Sequence, residues 1–287
     1  MRMKKYNHNI PSIQDKVKDM PHVYYFNLDH DVDRREHMEE QFNRYGIVYT
    51  RVSQNNYLVD QFDSWKSRID DLYTFEIISN AVKKQYNSNL YAHVANTFAH
   101  LDLFDWWIKN TDDENLIVME DDYDLSLIED WHFTWGYLMN SIPYDWDAIQ
   151  FSYTYSYPMP FFLHPRRQDQ TGFGAMLLNR HYVNKLLNIL LNDDGQLIVK
   201  SVSGIHSSKP CKLLYKTCSP DICFGATGVT YRIPLIDEQI FDRRSTSIKK
   251  WWKTKRDEFS LEDFFTYGKP YDNEMMIVDN KNAFSYS

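Results

Sequence analysis

Leu116-Ile117-Val118-Met119-Glu120-Asp121-Asp122-Tyr123-Asp124 sets four apolar residues directly against three consecutive carboxylates, with a fourth after one aromatic residue. A short apolar run bounded by polar residues reads as a strand buried on both faces, the kind found in parallel sheets covered by helices. The carboxylates then fall at its carboxyl end, the edge of an open α/β sheet where ligands bind. Like charges this close repel one another, so they are costly unless a cation or a hydrogen-bonding ligand neutralises them. Oxygen-only ligands suit Mg²⁺ or Mn²⁺, and the functional reading is a divalent metal held against a phosphate. The bland reading of the same residues is a set of solvated loop acids or caps for a following helix.

The flanking chain repeats the α/β pattern. Upstream, Val23-Tyr24-Tyr25-Phe26-Asn27-Leu28 is rich in strand formers, with Asn27 and Asp29 at its carboxyl end. A helix follows from Arg34 to Tyr45, capped by Asp31 or Asp33, carrying Met38, Phe42 and Tyr45 at helical spacing and stopped by Gly46. Ile47 to Val52 is a second strand. From Ser53 to Leu90 the pattern loosens into a polar excursion from the sheet, and His93 to Ile108 is a clearer amphipathic helix leading back to the opening stretch.

Downstream, Leu125 to Met139 is apolar at helical spacing and is halted near Pro143. Trp146 to Phe151 is the next strand, and Ser152 to Pro165, with its aromatics and prolines, reads as a loop over the site edge. Thr171-Gly172-Phe173-Gly174 leads into the apolar strand Ala175 to Leu178, and a Leu-rich helix runs from Arg180 to Leu191. Gly174 marks either a close ligand approach or a bulge. Ser219-Pro220-Asp221 carries a helix-start signature, and Val229 to Pro234 is a last short strand. Residues 1–20 read as an arm laid on the surface, 21–250 as one main domain, and 251–287 as a basic, aromatic segment with a polar tail.

Composition narrows the function classes. A formal net charge of -8 over 287 residues argues against a protein whose main business is gripping nucleic acid phosphates. The 21 Tyr and 17 Phe residues suit a site that binds rings or sugars as well as plain core packing. No apolar run is long enough to cross a membrane and no apolar core follows Met1, so a cytoplasmic protein is the expectation. Cys211, Cys218 and Cys223 fit free thiols in a reducing compartment; with His206 they also admit a zinc ion, and Cys211 with Cys218 a disulfide. Lys249-Lys250-Trp251-Trp252-Lys253 reads as a solvated helix with two packed tryptophans, or as a peripheral contact with an anionic membrane surface.

Taken in order, several pieces resemble glycosyltransferase family 25, the family of lipopolysaccharide sugar transferases and collagen galactosyltransferases. They are Phe26 to Arg35, Ala99-His100-Leu101, Val118 to Asp122, Thr171 to Arg180, Ser219-Pro220-Asp221, and Pro234 to Gln239 followed by Ser247-Ile248. The resemblance spans residues 22 to about 250, and the chain departs from the family at Ala95 and Ala99. It implies a GT-A fold, a Rossmann-like and mostly parallel sheet flanked by helices. It also implies Mn²⁺ or Mg²⁺, a nucleoside diphosphate sugar donor of the UDP-sugar type, and a glycan or glycoconjugate acceptor.

On that resemblance Asp122 is the direct metal ligand, Glu120 faces the ribose or a metal-bound water, and Asp121 supports them. Along a strand, residues 120 and 122 share a face, so the first and third acids act together. Asn27, Asp29 and Arg34 lie where the base and ribose would rest. Inversion at the sugar needs one general base, for which Asp221 is the candidate and Asp169 the runner-up. Two other classes stay open: a metal-dependent nuclease or phosphoryl-transfer enzyme, and a sugar-binding module of the same fold without catalysis.

Overall fold

Five consecutive buried side chains make β1 (Val23–Asn27) a strand covered on both faces, as the upstream apolar run predicts. The protein is seen here in a computed structural model that describes residues 9–54, 67–68, 88–152, 159–160, 162–166, 174–196, 228–238, 265 and 276–277. For 88–94, 159–160, 238 and 276–277 it describes the backbone alone.

Before β1 comes a one-turn helix, α1 (Ile13–Val17), capped by Ser12, whose hydroxyl oxygen accepts from the Asp15 amide. After β1 come α2 (Val32–Tyr45), β2 (Tyr49–Ser53), the long α3 (Ser88–Asn110), β3 (Asn115–Met119) and the two-residue β4 (Tyr123–Asp124). A 3₁₀ turn (Leu125–Asp130) leads to α4 (Trp135–Ser141), β5 (Ala148–Gln150), β6 (Met159–Pro160), β7 (His164–Pro165), β8 (Ala175–Asn179) and α5 (Arg180–Leu190). Three short strands complete the described elements: β9 (Thr230–Arg232), β10 (Asp237–Glu238) and β11 (Met276–Ile277).

Local chemistry sets the ends. Gly46 closes α2 in the left-handed conformation, φ 72°, with its N–H turned back to the Phe42 and Asn43 carbonyls. A Cβ is disfavoured in that conformation, so glycine is the natural stop. Asn179 caps α5, its side-chain oxygen accepting from the Tyr182 N–H at 2.7 Å.

Seven strands form one sheet in the order β2-β1-β3-β8-β5-β9-β7. The expected mostly parallel sheet is instead mixed. β1 runs parallel to β2 and β3, and β5 parallel to β9, but β8 opposes both β3 and β5, and β7 opposes β9. The reason lies in β8: it starts at the edge where β3 ends, with Ala175 paired to Met119, and runs back against both neighbours. Helices cover both faces, giving an α/β architecture. On one face Met38 and Phe42 of α2, Leu127 and Ile128 of the 3₁₀ turn and Leu138 of α4 pack with Tyr25, Ile117 and Leu177. On the other, Phe98, Leu101, Phe104 and Trp107 of α3 join Val183 and Leu186 of α5 against Phe26, Val118 and Met176. Each such side chain contributes about 1.5–3 kcal/mol when fully buried.

Three more expectations are corrected. The helix expected over 125–139 is broken at residues 131–134, because Trp131 turns inward and its indole N–H donates to the Leu235 carbonyl at 3.2 Å. The amino-terminal segment is not a surface arm from Ile13 onward. Lys16 is buried, and its ammonium donates to the Ile128 and Glu129 carbonyls at 2.9 and 2.7 Å, the negative end of the 3₁₀ turn. The loop expected over 152–165 contains β6 and β7, and β6 pairs with β11 from the carboxyl-terminal segment. Phe265, from the same segment, is buried against Phe133 in the first core. Among the described residues no helix is long and apolar enough to cross a membrane.

Candidate functional site

The carboxylates stand where the topology reverses. From β1 the chain crosses to β2 on one side and then returns through α3 to β3 on the other, so the carboxyl ends of β1 and β3 flank a switch point. Such points open a crevice for ligands because the two crossover connections diverge. Asn27 ends β1, and Glu120-Asp121-Asp122 follows β3 directly. The parallel register, Val23 with Ile117 and Tyr25 with Met119, brings Asn27 beside Asp121 when carried two residues further.

Strand geometry stops at Met119, so the alternation expected to put Glu120 and Asp122 on one face does not govern them. The three acids are distinguished by their partners instead. Asp121 is buried and satisfied: Asn27 Nδ2 donates to one oxygen at 2.7 Å and the Arg34 guanidinium to the other at 3.0 Å. Glu120 accepts from Asn96 Nδ2 of α3 at 2.6 Å, and its backbone N–H donates to the Gly174 carbonyl at 2.8 Å. Asp122 differs from both, since its Oδ1 is buried with no hydrogen-bond partner among the described residues. Burial, then the neighbouring Asp121 charge, push its carboxyl above the usual range, while Arg34 and its own backbone N–H oppose the shift. A carboxylate in that state is stabilised by whatever brings positive charge to it.

A second network extends the edge towards β2. Arg51 donates to Asn27 Oδ1 at 3.1 Å and to Asp29 Oδ1 at 2.6 Å, and Ser53 Oγ donates to the same Asp29 oxygen at 3.2 Å. The Arg51 hydrogen bond holds the Asp29 carboxyl below its ordinary value. Arg51 and Ser53 also line a groove of about 380 Å³ between β2 and α3, with the half-exposed indole of Trp106 on its far wall. Sequence pattern did not single out Arg51 or Asn96. Arg51 becomes legible only from the β1–β2 register that pairs it with Tyr25.

Gly174 fits its place by lacking a side chain. A Cβ there would lie 2.0 Å from the Tyr123 hydroxyl and 2.9 Å from Glu120 Oε2. The close approach that Gly174 permits is thus to the site's own acid and to Tyr123, whose hydroxyl oxygen also accepts from Ser152 Oγ at 3.3 Å.

Asn27, Asp29, Arg34, Glu120, Asp121 and Asp122 therefore share one sheet edge. Asp169 and Asp221, the candidate bases, lie outside the described residues, as do Ser219, Pro220, Gln239, Ser247, Ile248, His206, the three cysteines and residues 249–253. Among the described residues no three His, Cys, Asp or Glu side chains converge on a metal position. A two-carboxylate set still suits Mg²⁺ or Mn²⁺ arriving with a diphosphate, because such ions commonly take one or two carboxylates and complete their shell from phosphate oxygens and water. The partnerless Asp122 oxygen, with Glu120 two residues before it, fits that set.

No family model and no curated protein matches the chain. Among solved structures it is similar to the crystal structure of A197 from STIV, at 11% sequence identity and a TM-score of 0.34, over 76% of this chain and 83% of that one. A likeness that distant bears on neither fold family nor function.

Proposed function

We propose that the chain is a metal-dependent glycosyltransferase of the family 25 type, with a GT-A fold, moving a sugar from a nucleoside diphosphate sugar, UDP-linked in our reading, to a hydroxyl of a glycan or glycoconjugate. The observation that carries the proposal is the contrast within one acidic stretch at the switch point. Asp121 is tied to Asn27 and Arg34, while Asp122 keeps a buried oxygen without a partner. A purely structural cap would satisfy its own oxygens, and a site awaiting cationic charge would not.

Asp122 would hold the Mn²⁺ or Mg²⁺ directly, with Glu120 facing the ribose or a metal-bound water, and the ion would supply Lewis-acid charge to the departing diphosphate. Arg34 has half its forked guanidinium on Asp121 and orients that carboxylate beside Asp122. The Asn27, Asp29, Arg51 and Ser53 network is polar, the character suited to binding a ribose, and the Trp106 groove beside it would take the base. In the transfer the acceptor oxygen forms a bond to the anomeric carbon as the bond to the diphosphate oxygen breaks. The acceptor proton passes to the general base, for which Asp221 and then Asp169 are proposed.

The test is a panel of nucleotide sugars incubated with the protein and Mn²⁺, reading nucleoside diphosphate release with and without chelator. Release that depends on both sugar and metal supports the proposal. Cleavage of phosphodiesters with no diphosphate released would favour phosphoryl-transfer chemistry. Donor binding without turnover, even with a broad acceptor panel, would favour a sugar-binding module.

A further inference from the structure

Asn96 reaches the acidic stretch from α3, on the opposite side of the sheet edge from Arg34. Its Nδ2 donates to Glu120 Oε1 at 2.6 Å, and that bond fixes which way the amide faces. Turned over, the amide would set its oxygen against a carboxylate oxygen with no proton between them. The carbonyl oxygen Oδ1 is thereby committed to a place one amide width from the Glu120 carboxylate. It is buried there and has no hydrogen-bond partner among the described residues. Asp122 Oδ1, two residues beyond Glu120, is in the same condition. Buried acceptors are normally satisfied, and leaving one unmade is costly.

The two orphaned oxygens do not ask for the same thing. Asp122 carries the charge that a cation answers. The Asn96 oxygen is neutral, and the Glu120 oxygen beside it is already partly neutralised by the Asn96 N–H, which weakens that pair as a cation site. What remains is two acceptors side by side, joined through one amide, and their complement is two neighbouring O–H donors. Glu120 is held for such a task, since its backbone is pinned to Gly174 and its Oε2 lies against the same glycine.

We propose that Asn96 is a specificity-determining residue that reads a vicinal diol, its Oδ1 accepting one hydroxyl proton while Glu120 accepts the neighbouring one. This rests on the glycosyltransferase reading and divides the labour within it: Asp122 faces the metal and diphosphate, and Asn96 with Glu120 faces a sugar ring. Ribose and the transferred sugar both offer vicinal diols, and the test separates them.

Calorimetry on the full chain with Mn²⁺ would use UDP, CDP, GDP and ADP, each in ribose and 2′-deoxyribose form, and UDP-glucose against its 2-deoxyglucose counterpart. Wild type is expected to bind the diol form of one pair about tenfold or more tightly than the deoxy form, because the deoxy probe leaves a buried acceptor unpaired. In Asn96→Ala that ratio should fall to near one, through weaker binding of the diol form alone. The pair that loses discrimination identifies the ring. Asn96→Ser provides the same reading should the alanine variant not fold. Uniform weakening of every probe with all ratios intact would assign Asn96 to holding Glu120 and overturn the proposal. If no diphosphate binds wild type at all, the glycosyltransferase reading itself fails, and the proposal with it.

Discussion

Replacing Asp121 and Asp122 in turn by asparagine should affect stability differently, the first destabilising and the second not, although the two are adjacent and chemically identical. Asp121 receives two donors, Asn27 Nδ2 at 2.7 Å and Arg34 at 3.0 Å, and its side chain is 11% exposed. Charge-assisted hydrogen bonds are worth about 1.5–3 kcal/mol each where buried. The Arg34 side chain is 39% exposed, so solvent screening takes that bond to the low end. An asparagine keeps one acceptor oxygen but turns an NH₂ towards the other donor. The net loss for Asp121→Asn is therefore about 2 kcal/mol, or a melting point lower by about 3 °C for a chain of this size. Asp122 has no partner to lose at Oδ1, and burial and Asp121 both disfavour its charge. Its folded carboxyl binds its proton more tightly than the unfolded one does, so the fold loses stability as pH rises from the ordinary 3.8 through the elevated folded value. Asp122→Asn removes that penalty. Without metal it should be as stable as wild type or more so at neutral pH, with the advantage closing in acid. Paired melts at pH 4 and pH 7.5 in chelator measure both effects. Equal destabilisation by the two substitutions would refute the assignment of distinct roles.

Gly174→Ala should cost about 1–3 kcal/mol in urea unfolding, the range for overpacking. Its Cβ would sit 2.0 Å from the Tyr123 hydroxyl, and wild-type stability would show that Tyr123 is not held there. Lys16→Met should lose about 2–3 kcal/mol by leaving the Ile128 and Glu129 carbonyls without their buried ammonium, measured by the same method. His100 and His164 are buried, and burial lowers each to a pKa of about 4, so both rings are neutral in the fold. Their contribution is complete above the unfolded value of 6.5 and is lost as pH falls towards about 4, at about 1.4 kcal/mol per pH unit for each ring. Melting temperature from pH 7.5 to 5 should fall accordingly, and less steeply in His100→Asn.

Where local pattern and tertiary demand agreed, the fold was readable. The apolar runs at 23–28 and 116–119 became strands, β1 buried at every position and β3 from Leu116 to Met119, and Gly46 stopped its helix as its backbone chemistry requires. Reading failed where a distant partner decided the outcome. The periodicity of 125–139 is helical, but one indole hydrogen bond to Leu235 breaks the segment, and nothing local announces it. Lys16 looks like a surface residue until carbonyls 112 and 113 positions away claim it. Strand direction was likewise invisible, because β8 reads as an apolar run whichever way it lies against β3. At the site, composition marked the acids but could not rank them. The Asp121 partners come from β1 and α2, and the Glu120 partner from α3, so the difference between neighbouring carboxylates exists only after folding.

Calorimetric titration of wild type and Asp122→Asn with a nucleoside diphosphate, in Mn²⁺ and in chelator, reaches the central claim most directly. Wild type should bind only with Mn²⁺, and Asp122→Asn should lose that metal-dependent binding while melting as a folded protein. Binding that is indifferent to Mn²⁺ or unchanged in Asp122→Asn would contradict a metal and diphosphate site at this edge.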